Sequence, residues 1–416
     1  MISIICNNII HNHLTFLEYT IFIIKPMKNW STYIFLLVAG ALSLLATSCS
    51  QEDEGLESVI ASQGKATVQF SIALGNSGAG SRAATWGESY TPDGSNIGNE
   101  FENTIDLTKF HVSLTLADGT LVPIKSISPV AKQETDPKNI YDFVGEVEVK
   151  SVKSLTGAKI EVRANIGQSV STFSTSYIED KEYPDKLYYP GKGVEFIPMW
   201  GIHTVTAEEN LLLVPGPASD PIRFTNPIYL LRSMAKVEVV FQSTVNADYK
   251  IISAGLSKYK SEGNLLPAGT FTNTLSYNRE DCINPSSSTT IVAPSDALGL
   301  PFEVAADKRS CVIYVPEYAI QYDQNGKSDL NIQLLIDTDK DGDSDSHELV
   351  SQGIFSVNTN LVRNHWYVYR VNNVTIEDDV QFTLHYQVID WTEIDNGTLT
   401  FGDGSGATHT FPSNKG

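Results

Sequence analysis

Ala66-Thr67-Val68-Gln69-Phe70-Ser71-Ile72-Ala73-Leu74 puts Val68, Phe70, Ile72 and Leu74 on one side of an extended chain and polar or small residues on the other. Strand side chains alternate between two faces, so this is the period of a half-buried β-strand. The same period recurs towards the C-terminus. His111-Val112-Ser113-Leu114-Thr115-Leu116 leads through Asp118-Gly119 to Thr120-Leu121-Val122, and Asp-Gly is a pair that tolerates the positive φ of a tight hairpin turn. Ala158 to Ile166 and Ala235 to Phe241 alternate again, followed by Cys311 to Val315, Leu330 to Ile336, Trp366 to Val371, Phe382 to Ile389 and Thr398 to Phe401. No stretch carries a convincing apolar stripe at helical spacing. Short strands with frequent turn signals predict an all-β protein, two packed-sheet sandwiches in series.

Two loop-rich sections, Asp180 to Pro198 and Pro215 to Pro227, precede the Ala235 strand and set the domain boundary near Tyr229. With 416 residues and domains of about 150 residues, two domains fit. The expected divisions are 1–48, upstream residues and export signal; 49–82, a segment holding the first strand; 83–228, the first sandwich; and 229–416, the second. No internal repeat is evident, and the low-complexity tract is Ser286 to Thr290. The formal net charge of −20, unbroken by any block of Lys or Arg, argues against nucleic acid as a partner. Cys282 and Cys311 lack metal-ligand spacing, and either a disulfide or two thiols fits them.

The N-terminus reads as an address. From Met27, Lys28 supplies a positive start, Tyr33 to Leu45 an apolar middle, and Ala46-Thr47-Ser48 small residues before Cys49. The apolar run is short of the ~20 residues of a spanning helix, and a cysteine in that position predicts lipid attachment through its sulfur. The protein would then be membrane-held through an acylated (palmitoylated) Cys49, with the acidic Ser50-Gln51-Glu52-Asp53-Glu54 as export signal or solvated linker. Translation is expected to start at Met27.

Several motifs occur together and in order: Val162-Arg163-Ala164-Asn165, Ile197-Pro198-Met199-Trp200-Gly201, and Leu231-Arg232-Ser233-Met234-Ala235-Lys236-Val237-Glu238-Val239. After them come Tyr314-Val315-Pro316-Glu317, His365-Trp366-Tyr367-Val368-Tyr369-Arg370 and Val388-Ile389-Asp390-Trp391. Over roughly residues 60 to 416 the chain resembles the fimbrillin family, the subunits and accessory proteins of the polymeric pili of Bacteroidota. The resemblance implies two transthyretin-like β-sandwiches, a location at the outer membrane, cell surface or fimbrium, and a role in adhesion. It also implies processing between Arg82 and Ala83, in the glycine-rich loop Gly78 to Thr85 of a kind proteases enter. Losing the first strand would open a groove for a strand of another pilus subunit, the donor being Thr398 to Phe411. A plain loop arginine is the alternative at Arg82. An anchor subunit would keep both lipid and strand. The rival function is a surface glycan-binding or adhesin lipoprotein that does not polymerise. A receptor on host or bacterial surfaces fits either.

The sharpest chemical motif is Asp337-Thr338-Asp339-Lys340-Asp341-Gly342-Asp343-Ser344-Asp345-Ser346-His347-Glu348. Asp337, Asp339, Asp341, Asp345 and Glu348 stand at ligand positions of a twelve-residue Ca2+ loop, with Asp343 offering its carbonyl and Gly342 the sharp turn. The preceding residues read as a strand instead of the usual helix, so an acidic hairpin tip is the other reading. No HExxH and no G-x-S-x-G is present, and Ser257 to Lys260 matches S-x-x-K without its partner motifs. The expectation is therefore a protein that is not an enzyme. Trp366 and Trp391 read as core, and Trp86 and Trp200 as loop residues able to stack on a sugar.

Overall fold

In the computed structural model the described residues are 64–74, 100–132, 140–174, 196–260, 262–274, 282–283, 291–292, 300–337, 350–376, 380–390, 400–402 and 408–409. They contain no α-helix, and none is long and apolar enough to cross a membrane. The early strands are β1 (Gly64–Leu74), β2 (Thr104–Asp106), β3 (Phe110–Thr115), β4 (Leu121–Pro123), β5 (Lys125–Pro129), β6 (Tyr141–Val149) and β7 (Lys153–Ser154). Next come β8 (Lys159–Ala164), β9 (Thr172–Ser174), β10 (Met199–Thr204), β11 (Leu212–Leu213), β12 (Ile222–Arg223) and β13 (Ile228–Arg232). The later ones begin with β14 (Ala235–Phe241), β15 (Lys250–Leu256), β16 (Tyr259–Lys260), β17 (Glu262–Asn264), β18 (Ile291–Val292), β19 (Leu300–Pro301) and β20 (Glu303–Val304). They end with β21 (Ser310–Val315), β22 (Asn331–Asp337), β23 (Val350–Ser356), β24 (His365–Ile376), β25 (Val380–Asp390), β26 (Thr400–Gly402) and β27 (Thr408–His409).

Two large sheets organise them. The first runs β4-β3-β8-β10-β13-β1-β6-β5, with β12 added beside β1, and the second runs β19-β15-β22-β23-β25-β24-β14-β21-β20. Each sheet folds over on itself. In the first, Phe110 of β3 and Phe143 of β6 come from opposite arms of the strand order, yet their ring centroids are 5.0 Å apart. The outermost strands are also neighbours in sequence. One residue, Ile124, separates β4 from β5, and one residue, Phe302, separates β19 from β20; both are buried. Gly145 of β6 makes room for this closure, since a Cβ there would meet the Ile124 side chain. Each sheet thereby encloses its own core, built from Ala66 through Leu230 in one case and Ala235 through Val388 in the other. The architecture is two β-sandwiches in series.

Eight strands repeat in the same sheet order and the same chain order, with β1, β3, β4, β5, β6, β8, β10 and β13 matched by β14, β15, β19, β20, β21, β22, β23 and β24. The directions agree as well: β1 is antiparallel to β6 and parallel to β13, as β14 is antiparallel to β21 and parallel to β24. The second sandwich adds β25, which zips onto β24 from His365↔Asp390 to Ile376↔Val380. No repeat is visible in the sequence because the pattern conserved between the halves is alternation, which many residues satisfy. The chain passes from one sandwich to the other at Ser233-Met234, a few residues beyond Tyr229, since β13 still belongs to the first sheet.

Candidate functional site

β1 lies near the middle of the first sheet. Ala66, Val68, Phe70, Ile72 and Leu74 are all buried, and Phe70 stacks on Phe143 at 5.8 Å. On one side β1 pairs antiparallel with β6 without a break from Gly64↔Val149 to Ile72↔Tyr141. On the other it pairs parallel with β12 at Val68↔Ile222 and Gln69↔Arg223, and with β13 from Ile72↔Ile228 to Leu74↔Leu230. Its backbone is thus committed on both edges and its apolar face wholly committed to the core. Burying a Val, Leu, Ile or Phe side chain contributes roughly 1.5–3 kcal/mol, so this single strand carries a large part of the first sandwich's stability.

A carboxylate fastens the segment beside β1. Glu209 accepts hydrogen bonds from Thr206 N (2.7 Å), Thr225 Oγ1 (3.2 Å) and Asn226 Nδ2 (3.1 Å), and pairs with His203 Nε2 at 3.1 Å. Burial pushes its pKa up, but the Thr206 amide and His203 outweigh it, and the carboxyl is held below its ordinary value.

The family-like motifs meet where the sandwiches join. Ile197, Met234, Tyr314, Trp366 and Val368, drawn from four of the motifs, form one apolar cluster. Beside it Lys236 Nζ reaches Glu102 Oε1 at 2.8 Å and lies 3.6 Å from the centroid of the Trp366 ring, and Tyr314 OH donates to the same Glu102 oxygen at 2.5 Å. The wholly buried Arg232 donates to Glu102 O (3.1 Å), to Asn364 Oδ1 (3.2 Å) and to Asn103 Oδ1. Arg363, also wholly buried, is clamped by Glu317 and by the carbonyls of Asn264 and Leu266. Asn165, at φ +62°, accepts from Asp106 N and donates to Thr104 O and Ile197 O; asparagine is one of the few residues that tolerates that backbone region. Burial raises the pKa of neighbouring Glu238, an effect that Lys236 opposes. The motifs therefore mark a structural clamp. Four of the clamp's side chains, those of Glu102, Asn103, Arg363 and Asn364, come from outside every motif, and Glu102 carries no pattern that could have pointed to it.

No family model matches the sequence, and no curated protein does. Several similar solved structures are fimbrial proteins. The tip fimbrial protein Mfa3 of Porphyromonas gingivalis, with a C-terminal truncation, is similar over 79% of this chain and 100% of its own, at 12% identity and a TM-score of 0.46. A fimbrial assembly protein of Parabacteroides distasonis is similar over 78% and 99% of the two chains, at 10% identity and a TM-score of 0.35. The fimbrial anchor protein Mfa2 of P. gingivalis is similar over 78% and 99%, at 10% identity and a TM-score of 0.26.

Of the candidate residues read from the sequence, Cys49, Arg82, Ala83, Trp86, Asp339, Asp341, Asp343, Asp345 and Glu348 lie outside the described residues. Asp337 ends β22, is fully buried, and sits opposite Val350 of β23, so the two flanking strands pair antiparallel on either side of the acidic stretch. Among the described residues no group of His, Cys, Asp and Glu is placed to hold a metal. Cys282 and Cys311 are buried in different apolar clusters and no disulfide joins them; burial raises the Cys311 thiol pKa. Trp200 corrects the expectation of a loop residue able to stack on a sugar: it lies in β10, is 3% exposed, and packs edge-on against Phe271. Its strand is covered on both faces, which hides it from any ligand.

The tail also has a place. β26 pairs parallel with β2, from Thr104↔Thr400 to Asp106↔Gly402, and β27 pairs with β26.

Proposed function

We infer that this protein is a non-catalytic structural subunit of a surface pilus, exported as a lipoprotein through Cys49 and assembled by exchange of its first strand after cleavage between Arg82 and Ala83. The observation that carries the reading is the placement of β1: a sheet-central strand at the start of the described chain, followed by the glycine-rich loop that holds Arg82. Cutting that loop severs no described strand pairing. Loss of β1 then leaves the β6 and β13 edges unpaired and the core open, which a strand of another subunit would close. Its partners are other pilus subunits, and a receptor on host or bacterial cells.

Limited digestion of the purified full chain with an arginine-directed protease tests this. Mass spectrometry should find a cut after Arg82, and electron microscopy should find filaments. A cut protein that stays monomeric argues for a surface adhesin that does not polymerise. Docking of β26 on β2 favours a second reading, an anchor or accessory subunit, because the tail that would act as donor is engaged with its own chain. Such a subunit would resist cleavage at Arg82 and remain in the membrane fraction.

A further inference from the structure

We propose that an incoming strand from a second copy gains its place from the β12 side of β1, and that Glu209 is the positioning residue that keeps that side shut; this rests on the strand-exchange reading. The two edges of β1 are held unequally. Towards β6 the pairing is continuous and reinforced by Lys65–Glu146 at 2.8 Å and Ser71 Oγ to Asp142 Oδ1 at 2.5 Å, and β6 is itself held on its far side by β5. Towards the other edge, residues 216–224 form a strap. It touches β1 through Gly216 N to Lys65 O (3.2 Å), the short β12 pairing, Phe224 N to Gln69 O (2.9 Å) and Arg223 Nη1 to Gln69 Oε1 (2.5 Å). Among the described residues β12 pairs with no strand except β1.

So thin an edge strand, two residues long, is easily opened and re-paired. Its hold comes from its root. Thr225 and Asn226, directly after the strap, are both tied to Glu209, which is tied in turn to the Thr206 amide and to His203 at the end of β10. The Glu209 side chain is 5% exposed and that of His203 2%, so their pairing is shielded from water, whereas the bonds from Thr225 and Asn226 lie at the surface, where they can open. One carboxylate thus connects the strap to the other arm of the sandwich. When its bonds break, the strap lifts from the Gly64 to Gln69 half of β1, and the newcomer pairs there first. The Ile72 to Leu74 half, held by β13 and the Arg232 clamp, follows.

The test measures uptake of a fluorescent peptide of residues 398–411, the donor segment of a second copy, by full-length protein cut after Arg82. A Glu209→Cys, Asn226→Cys variant replaces the latch by a disulfide that can be opened, its formation being verified by mass. Uptake should be at least tenfold slower than wild type when oxidised and faster than wild type when reduced. Glu209→Gln, which keeps the shape and weakens the bonds, should speed uptake several-fold without changing the circular dichroism spectrum. Wild-type uptake that neither the redox state nor Glu209→Gln alters overturns the latch and leaves strand exchange standing. No uptake by wild type overturns strand exchange itself, and the latch with it.

Discussion

At the scale of single residues, the molecule places charge inside where it joins things. Glu102 and Lys236 are both buried at the junction, and such a pair is held by mutual satisfaction, since removing one partner strands the other in a low-dielectric site. Glu209 plays the comparable part beside β1, and its lowered pKa gives a measurable sign. A carboxyl whose folded pKa lies below its ordinary value of 4.5 contributes stability that is fully present above that value and is lost as pH falls through the folded pKa. Wild type should therefore exceed Glu209→Gln in urea midpoint at neutral pH, with the gap closing as pH drops below about 4.5. A gap independent of pH would mean that shape and not charge sets the contribution of Glu209.

At the scale of elements, alternation was legible and its interruptions were not. β1, β14, β21 and β22 fall within a residue or two of the runs that alternate in the sequence. β6 follows the same rule but has Gly145 where an apolar residue would complete the pattern, and the need for that glycine comes from Ile124 across the closure. β10 does not alternate because nearly all its residues are buried, one side being covered by a distant segment that brings Leu265 and Phe271 against Trp200. Contacts made by remote chain leave no local period. The clamp was half legible: its aromatic and apolar members lie in recognisable motifs, whereas Glu102 and Arg363 have meaning only once folding assembles them. The hairpin of β22 and β23 makes its own prediction. With five of its six carboxylates close together in sequence, the loop beyond Asp337 should bind calcium and raise the melting temperature at saturating ion, by linkage. An unchanged melting temperature would make it an acidic hairpin tip.

At the scale of the whole molecule, the apolar face of β1 is worth comparing with the margin of a domain. Five buried side chains on that strand face the core, at roughly 1.5–3 kcal/mol for each large one, against a net stability of about 5–15 kcal/mol for a typical domain. A chain expressed without residues 1–75 should lose the first sandwich's cooperative unfolding transition in calorimetry and regain it when a peptide of residues 64–74 is added. Retention of the transition without the peptide would show that β1 is dispensable to the fold.

The repeated topology decides which copy of the central strand can be spared. β14 occupies in the second sandwich the place of β1 in the first, between a parallel and an antiparallel neighbour. Yet β14 is spliced at its start to β13 through Ser233-Met234, so releasing it would tear the two halves apart. β1 is the first of the described strands, and the rest of the described chain follows it. Under the proposed strand exchange, position along the chain would make one of two equivalent strands a keystone and the other a detachable part, and would give the assembly its direction.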